Sequence, residues 1–273
     1  MVDVLRVIGE AYEQYKKNWR KVISAFIILF LISIAFGIID FVVKLPGQFT
    51  CENQRNTFIV ILFCISPQIL SITFGIIESL IGVVVILAVL KPFDEISRGA
   101  KVVSDWKSHF SPQLKNAIKI VIFKFLVFAL LLVPLIIYII FNIALFAAFA
   151  SSKQDYRLFL TGSGLLLIFI FVATVILELI ANFLLNFLEI EMVLGGKGLI
   201  EAAKKSANLV LGNLLNMIIY ALIWFLISIG IGIVKLVLCC TVVLLPVIFI
   251  IDPFFITPIR LLSLVILWKE FKG

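Results

Sequence analysis

Residues 198–213 read GLIEAAKKSANLVLGN, and residues 214–236 continue as LLNMIIYALIWFLISIGIGIVKL. In the first segment Ile200, Ala203, Ala207 and Val210 fall on one helical face, and Glu201, Lys204, Lys205 and Asn208 on the other. The second segment carries one charge, Lys235, and is long enough to cross the roughly 30 Å hydrocarbon core of a bilayer as a helix. A short amphipathic helix feeding a membrane span is therefore the unit from which the fold is read. Two earlier stretches have the same order: residues 2–18 before an apolar run from Val22, and residues 91–110 before one from Leu114.

Composition agrees. Of 273 residues, 63% are hydrophobic and 14% charged, and the mean hydropathy is +1.23. That is too little charge for a soluble chain of this size. The apolar runs are continuous, with none of the alternation of a barrel strand. The net charge of +7 comes from basic residues beside apolar runs, as the positive-inside rule expects, and no nucleic-acid-reading motif accompanies it. Four Cys and one His, with no C-x-x-C spacing, exclude a zinc set or a disulfide framework. A bridge from Cys51 to Cys239 or Cys240 stays open. The opening stretch is long and acidic for a cleavable signal, so the first run reads as a retained span.

Spans are expected at about 22–43, 58–90, 114–150, 158–194, 214–236 and 242–268. A turn is expected at Pro46-Gly47, a helix boundary at Pro92 with Asp94 as N-cap, and a helix start at Ser111-Pro112. The GGKG at 195–198 lacks the G-x-x-x-x-G-K-[ST] pattern of a phosphate loop and reads as a C-cap and hinge. Two prolines in IDPFFITPIR (251–260) predict a break or strong kink in the last span. Most Lys and Arg residues then fall on the side of the two termini, which predicts that both are cytoplasmic. The N-terminal helix would lie in the headgroup plane or pack on other cytoplasmic helices; the sequence allows both.

The expected fold class is all-α: a polytopic integral membrane protein in one membrane domain, 1–273. Six transmembrane helices would form three amphipathic-helix-plus-hairpin units, about 1–90, 91–195 and 196–273. Gly9-Glu10-Ala11, Arg98-Gly99-Ala100 and Glu201-Ala202-Ala203 would each open a unit. With two spans per unit, the copies share one orientation, a parallel pseudo-repeat. The third unit, Glu201-Ala202-Ala203-Lys204-Lys205-Ser206 followed by Leu209, Gly212-Asn213 and an apolar run, resembles the membrane domain in front of some glycerophosphoryl diester phosphodiesterases and related stand-alone archaeal and bacterial membrane proteins. The resemblance implies a six-helix module with cytoplasmic amphipathic helices. It does not carry over the phosphodiesterase activity, because the catalytic barrel has no counterpart here.

Ionisable groups at bilayer depth are costly, about 2.5–3.5 kcal/mol each on insertion scales, and mark sites or interhelical pairs. Glu178, Asn182, Asn186 and Glu189 form one helical stripe, and Ser71, Gly75, Glu78 and Gly82 another. Ser228, Gly232 and Lys235 mark the fifth span in the same way, and Lys124 and Arg260 are candidate counter-charges. The candidate intramembrane site is thus Glu78, Lys124, Glu178, Asn182, Asn186 and Lys235. Candidate lipid-headgroup contacts are Lys16, Lys17, Arg20, Lys101, Lys107, Lys204 and Lys205. No H-E-x-x-H or G-x-S-x-G motif is present, so neither catalysis nor a cofactor or metal is expected. Two functions follow. One is a non-catalytic module that organises or senses membrane lipids or scaffolds a protein partner of unknown identity; the other is a transporter or channel for a small solute or amphiphile.

Overall fold

A computed structural model of the chain describes residues 2–50, 66–100, 103–152, 157–239 and 251–272, and the regular elements in them are all helical. Cys51, Cys240 and Lys101 lie outside these residues, as does the side chain of Cys239. The elements are α1 (Val4–Thr50), α2 (Ser66–Ser97), α3 (Trp106–Ser152), α4 (Arg157–Leu184), α5 (Leu188–Val193), α6 (Leu199–Gly212), α7 (Leu214–Cys239), a π-helical turn (Asp252–Ile256) and α8 (Thr257–Lys272). Among the described residues five helices are long and apolar enough to cross a membrane.

The first amphipathic segment is not a separate helix. α1 is one rod of 47 residues, roughly 70 Å at about 1.5 Å per residue. One face of its N-terminal half is packed on protein. Val4, Val7, Ala11, Tyr15, Val22, Ala25 and Phe26 form a buried seam, at the three- and four-residue spacing of helix–helix contact. Leu5, Tyr12 and Trp19 stay exposed. The helix also runs through Pro46-Gly47 to Thr50, where a turn was expected. Proline's φ is already that of a helix, so Pro46 gives up one backbone bond without forcing a turn.

α2 departs from expectation more sharply. It passes Pro92 and ends at Ser97, so Asp94 is a last-turn residue and not an N-cap. Leu87, Ala88, Val89, Leu90, Phe93 and Ile96 are buried, and their packing outweighs one backbone bond lost to proline. Gly99 stands at φ +70°. Its N–H donates to the Ile96 carbonyl at 2.9 Å, and that of Ala100 to the Glu95 carbonyl at 3.0 Å, the paired bonds of a Schellman cap. Arg98-Gly99-Ala100 therefore closes a helix where the repeat reading has it open one. α3 starts at Trp106, before Ser111-Pro112. Asp105 caps it, its Oδ1 accepting from the Lys107 N–H at 3.2 Å.

The expected fourth span is among the five, over Leu166–Val193, with a short turn near its end. α4 ends at Leu184 and α5 begins at Leu188. The buried Ser206 of α6 bridges the gap: its hydroxyl donates to the Leu184 carbonyl at 2.7 Å and accepts from the Phe187 N–H at 3.0 Å. This sets the roll of α6. Its buried face is Ala202, Ser206 and Val210, while Ile200 is 69% exposed, so the apolar face expected through Ile200 is turned aside. Gly196, at φ +63°, belongs to the cap between α5 and α6, as the GGKG stretch predicts.

The two prolines of 251–260 are absorbed without a break. A π-helical turn over Asp252–Ile256 runs directly into α8. Pro258 has no N–H to offer the Phe254 carbonyl one turn back, and the Tyr15 hydroxyl of α1 donates to that carbonyl instead. α2 packs on α1, α3, α5 and α8, and α1 packs on α8. Arg6 near one terminus pairs with Glu270 near the other. This end of the bundle, which we call the head, also holds Trp106, Phe187, Ile190, Val210, Tyr220 and Leu267, all in one buried core.

Candidate functional site

Three cavities flank α2 beyond the head. The first, of about 380 Å³, lies between α2, α3 and α4 and is bordered by Gly75, Ser79, Lys124, Phe128, Glu178 and Asn182 among others. The second, of about 250 Å³, is bordered by Lys124, Asn182, Asn186, Glu189, Thr257 and Arg260. Lys124, Asn182 and Leu185 border both, so the two form one cleft. The third, of about 990 Å³, lies between α1, α2, α7 and α8 and holds Ser33, Glu78, Lys235 and Asp252. Gly75 and Ser79 border the first and the third. At that level α2 carries small side chains toward both.

The predicted polar residues are thus divided between two compartments. Lys124, Glu178, Asn182 and Asn186 share the cleft; Glu78 and Lys235 share the large cavity. Lys124 pairs with Glu189 at 2.5 Å, so the predicted counter-charge finds its carboxylate on the predicted stripe. The α4–α5 break passes through that stripe, with Asn186 in it. Glu178 has no ion-pair or hydrogen-bond partner among the described residues. Glu78 accepts from the Ser33 hydroxyl. Lys235 pairs with Asp252, which sequence reading had treated only as part of a helix break. Spacing could have pointed to it: Asp252 is a carboxylate inside an apolar span, costly without a partner.

The most buried charge was also missed. Glu191 of α5 is 0% exposed. Its Oε1 accepts from Trp268 Nε1 and from Lys272 Nζ, each at 2.8 Å, and Lys272 lies 4.0 Å from the centre of the Trp268 ring. Oε2 has no hydrogen-bond donor. A Cβ on Gly195 would stand 2.5 Å from that oxygen and from the Glu191 carbonyl, so glycine is required there by space. Glu191 ties the last turn of α8 to α5 and is walled off from the cleft. Beside it Lys197 and Glu201 pair at 2.7 Å. Their hydrogen bond holds the Glu201 carboxyl below its ordinary range and the Lys197 ammonium above its own.

The predicted headgroup contacts in the described residues are all on the surface. Lys16, Lys17, Arg20, Lys107, Lys204 and Lys205 are exposed, and none makes an ion pair among the described residues. Arg20 lies 5.6 Å from the Trp19 ring, and Trp19 with Tyr12, Tyr15, Lys16 and Phe255 borders a groove of about 310 Å³.

A family model described as a domain of unknown function (DUF7847) matches residues 114–266, more than half of the chain. The chain belongs to the DUF7847 family. The matched region takes in Lys124, Glu178, Asn182, Asn186, Glu189 and Arg260, and leaves α1 and Glu78 outside. No curated protein and no solved structure matches the chain.

Proposed function

We propose that this DUF7847 protein is a non-catalytic, multi-pass membrane protein that organises or senses lipid, with six spans and both termini in the cytoplasm. The observation that carries the reading is the set of exposed basic residues on α1, α3 and α6 with no ion pair among the described residues, those of α1 beside exposed Trp19 and Tyr12. Aromatic rings at headgroup level and Lys or Arg beside phosphates are how a protein grips a bilayer edge, and each basic group near an anionic surface contributes about 1 kcal/mol. The meeting of Arg6 with Glu270 supports an even span count. The resemblance of 201–213 to the membrane domains in front of glycerophosphoryl diester phosphodiesterases agrees with a module that faces lipid without cutting it. Of the three repeat units, the first and third keep the common plan of a polar helical segment leading into a span.

Charge reversal at Lys16, Lys17, Lys204 and Lys205 together tests this. In nanodiscs of mixed anionic and zwitterionic lipid, the variant is expected to lose most of its enrichment of anionic lipid, read by native mass spectrometry. Unchanged enrichment would count against the reading.

One observation favours a second function, a transporter or channel: Gly75 and Ser79, small residues of α2, border both the cleft and the large cavity. That reading requires solute flux in proteoliposomes that Glu178→Gln abolishes.

A further inference from the structure

Two charges in the cleft have no ion-pair partner among the described residues, Glu178 on the slot wall and Arg260 at the mouth. Lys124 and Glu189 neutralise each other, but Arg260, exposed on the same wall, has no carboxylate within ion-pair reach among the described residues. A guanidinium in a membrane-facing wall is costly without a partner. Its planar fork matches two oxygens of a phosphate. Thr257, Asn182 and Asn186 border the same space and can donate further hydrogen bonds.

Beyond Lys124 the lining changes character. The adjoining 380 Å³ is walled by Ile76, Val83, Phe125, Phe128 and Leu131. Lys124 to Leu131 spans about two turns of α3, roughly 10 Å. A cationic mouth therefore opens into an apolar slot, the shape of a headgroup followed by a chain.

We propose that the cleft holds one anionic phospholipid, its phosphate on Arg260, its glycerol region against Asn182 and Asn186, and one acyl chain in the slot. This rests on the lipid reading above and deepens it from general attraction to a single defined occupant. Glu178, on the slot wall one turn from Asn182, disfavours a second phosphate there and keeps the headgroup at the mouth. A free phosphate ion would leave the slot unfilled, so the lipid is the better fit.

The test uses the full chain in detergent, titrated with phosphatidylglycerol or phosphatidylcholine and read by native mass spectrometry. One phosphatidylglycerol per chain is expected in preference to phosphatidylcholine. Arg260→Gln should weaken it on the order of tenfold, the loss of one charge-assisted contact, whereas the exposed Arg98→Gln should not. Ala181→Phe fills the slot and leaves the mouth intact. It should lose long-chain phosphatidylglycerol and still bind the dihexanoyl form. The proposal is overturned if Arg260→Gln binds like wild type, if both lipids bind equally, or if Ala181→Phe keeps the long-chain lipid. It is also overturned if inorganic phosphate displaces the lipid and binds wild type and Ala181→Phe alike, which would make this a free-anion site. Because the basic helices are untouched in these variants, failure here leaves the bulk enrichment experiment to stand or fall by itself.

Discussion

Phe187 and Phe169 belong to the same expected span and meet opposite surroundings. Phe187, in the break between α4 and α5, is 0% exposed and stacks edge-on with Phe271; Phe169, in the shaft of α4, is 69% exposed. The contrast extends to whole regions. The head, where both described chain ends meet, buries in one core one face of α1 between Val4 and Phe26, most of α2 between Val84 and Ile96, and Leu262 to Trp268. The shafts of α3 and α4 keep Ile122, Leu126, Leu130, Ile140, Leu166, Ile168 and Leu179 exposed. In water such a surface would drive association. In lipid it costs nothing, because acyl chains are as apolar as leucine, and helices there associate through packing and polar contacts instead. The difference teaches where each force operates: apolar burial holds the head, while beyond it the apolar shafts run beside cavities, with the polar contacts Ser33–Glu78, Lys124–Glu189 and Lys235–Asp252 between neighbouring segments.

The most direct way to break this comparison is to truncate the two phenylalanines. Phe187→Ala should destabilise by about 3–5 kcal/mol, the usual range for emptying an aromatic site in a packed core. Phe169→Ala should stay within about 0.5 kcal/mol, as a substitution away from any packed or polar feature does. Unfolding in mixed micelles by SDS titration measures both, and equal losses would mean that the shafts are packed as tightly as the head.

Charged contacts sharpen it further. Glu191→Ala removes a buried acceptor and strands the Trp268 N–H and the Lys272 ammonium. Lys272 is partly exposed and can turn to water, so the expected loss is about 2–3 kcal/mol, below that for breaking a fully buried pair. Lys124→Met in the cleft should cost no more than about 1 kcal/mol, in line with measured interhelical polar contacts in membranes. If Lys124→Met proves the costlier, the cleft pair holds the shafts together and the cavity reading weakens.

The smallest effect belongs to Lys197 and Glu201 at the start of α6. Glu201 has its carboxyl lowered in the folded protein, so its contribution is present above the ordinary carboxylate range and is lost as pH falls through the lowered value. Lys197 is raised, so its contribution is present below the ordinary lysine range and is lost as pH rises through the raised value. The pair therefore acts between those limits. Both groups are at the surface, and the expected outcome is a slight loss of protection, relative to the intrinsic exchange rate, of the Ala202 N–H that donates to the Gly198 carbonyl at 2.7 Å, on acidification below the carboxylate range. Glu201→Gln should remove that pH dependence, and a dependence that survives the substitution would assign it to another group.

Much of the architecture could be read directly. Long apolar runs with few charges dictate helices in lipid, because an unpaired backbone N–H or carbonyl has no water there to satisfy it. The span of α7, the all-α class and the membrane context follow from that alone. So do the members of the cleft: Glu178, Asn182 and Glu189 lie on one helical face by spacing, and a buried carboxylate there calls for a cation. Exposed Lys16, Lys17, Lys204 and Lys205 follow from the same periodicity.

Only the tertiary structure decided where helices stop and which way they roll. Pro92 could have ended α2, but the buried Leu87–Phe93 packing carries the helix past it, and a glycine cap further on ends it. Pro258 could have broken the last span, but Tyr15, more than two hundred residues away in sequence, supplies the hydrogen bond that proline cannot. Ser206 holds open the gap in the fourth span and turns α6 so that Ile200 faces outward. Propensity and periodicity are local, and they register a proline or a serine only by its own preferences. A donor or a packed side chain from a distant helix can offset those preferences, and which residue arrives is set by how the helices pack. Composition and spacing therefore determined that this chain lives in a membrane and which residues are candidates. Packing determined that Glu191 is sealed away, that Asp252 is paired, and that Arg260 borders the cleft with no ion pair among the described residues.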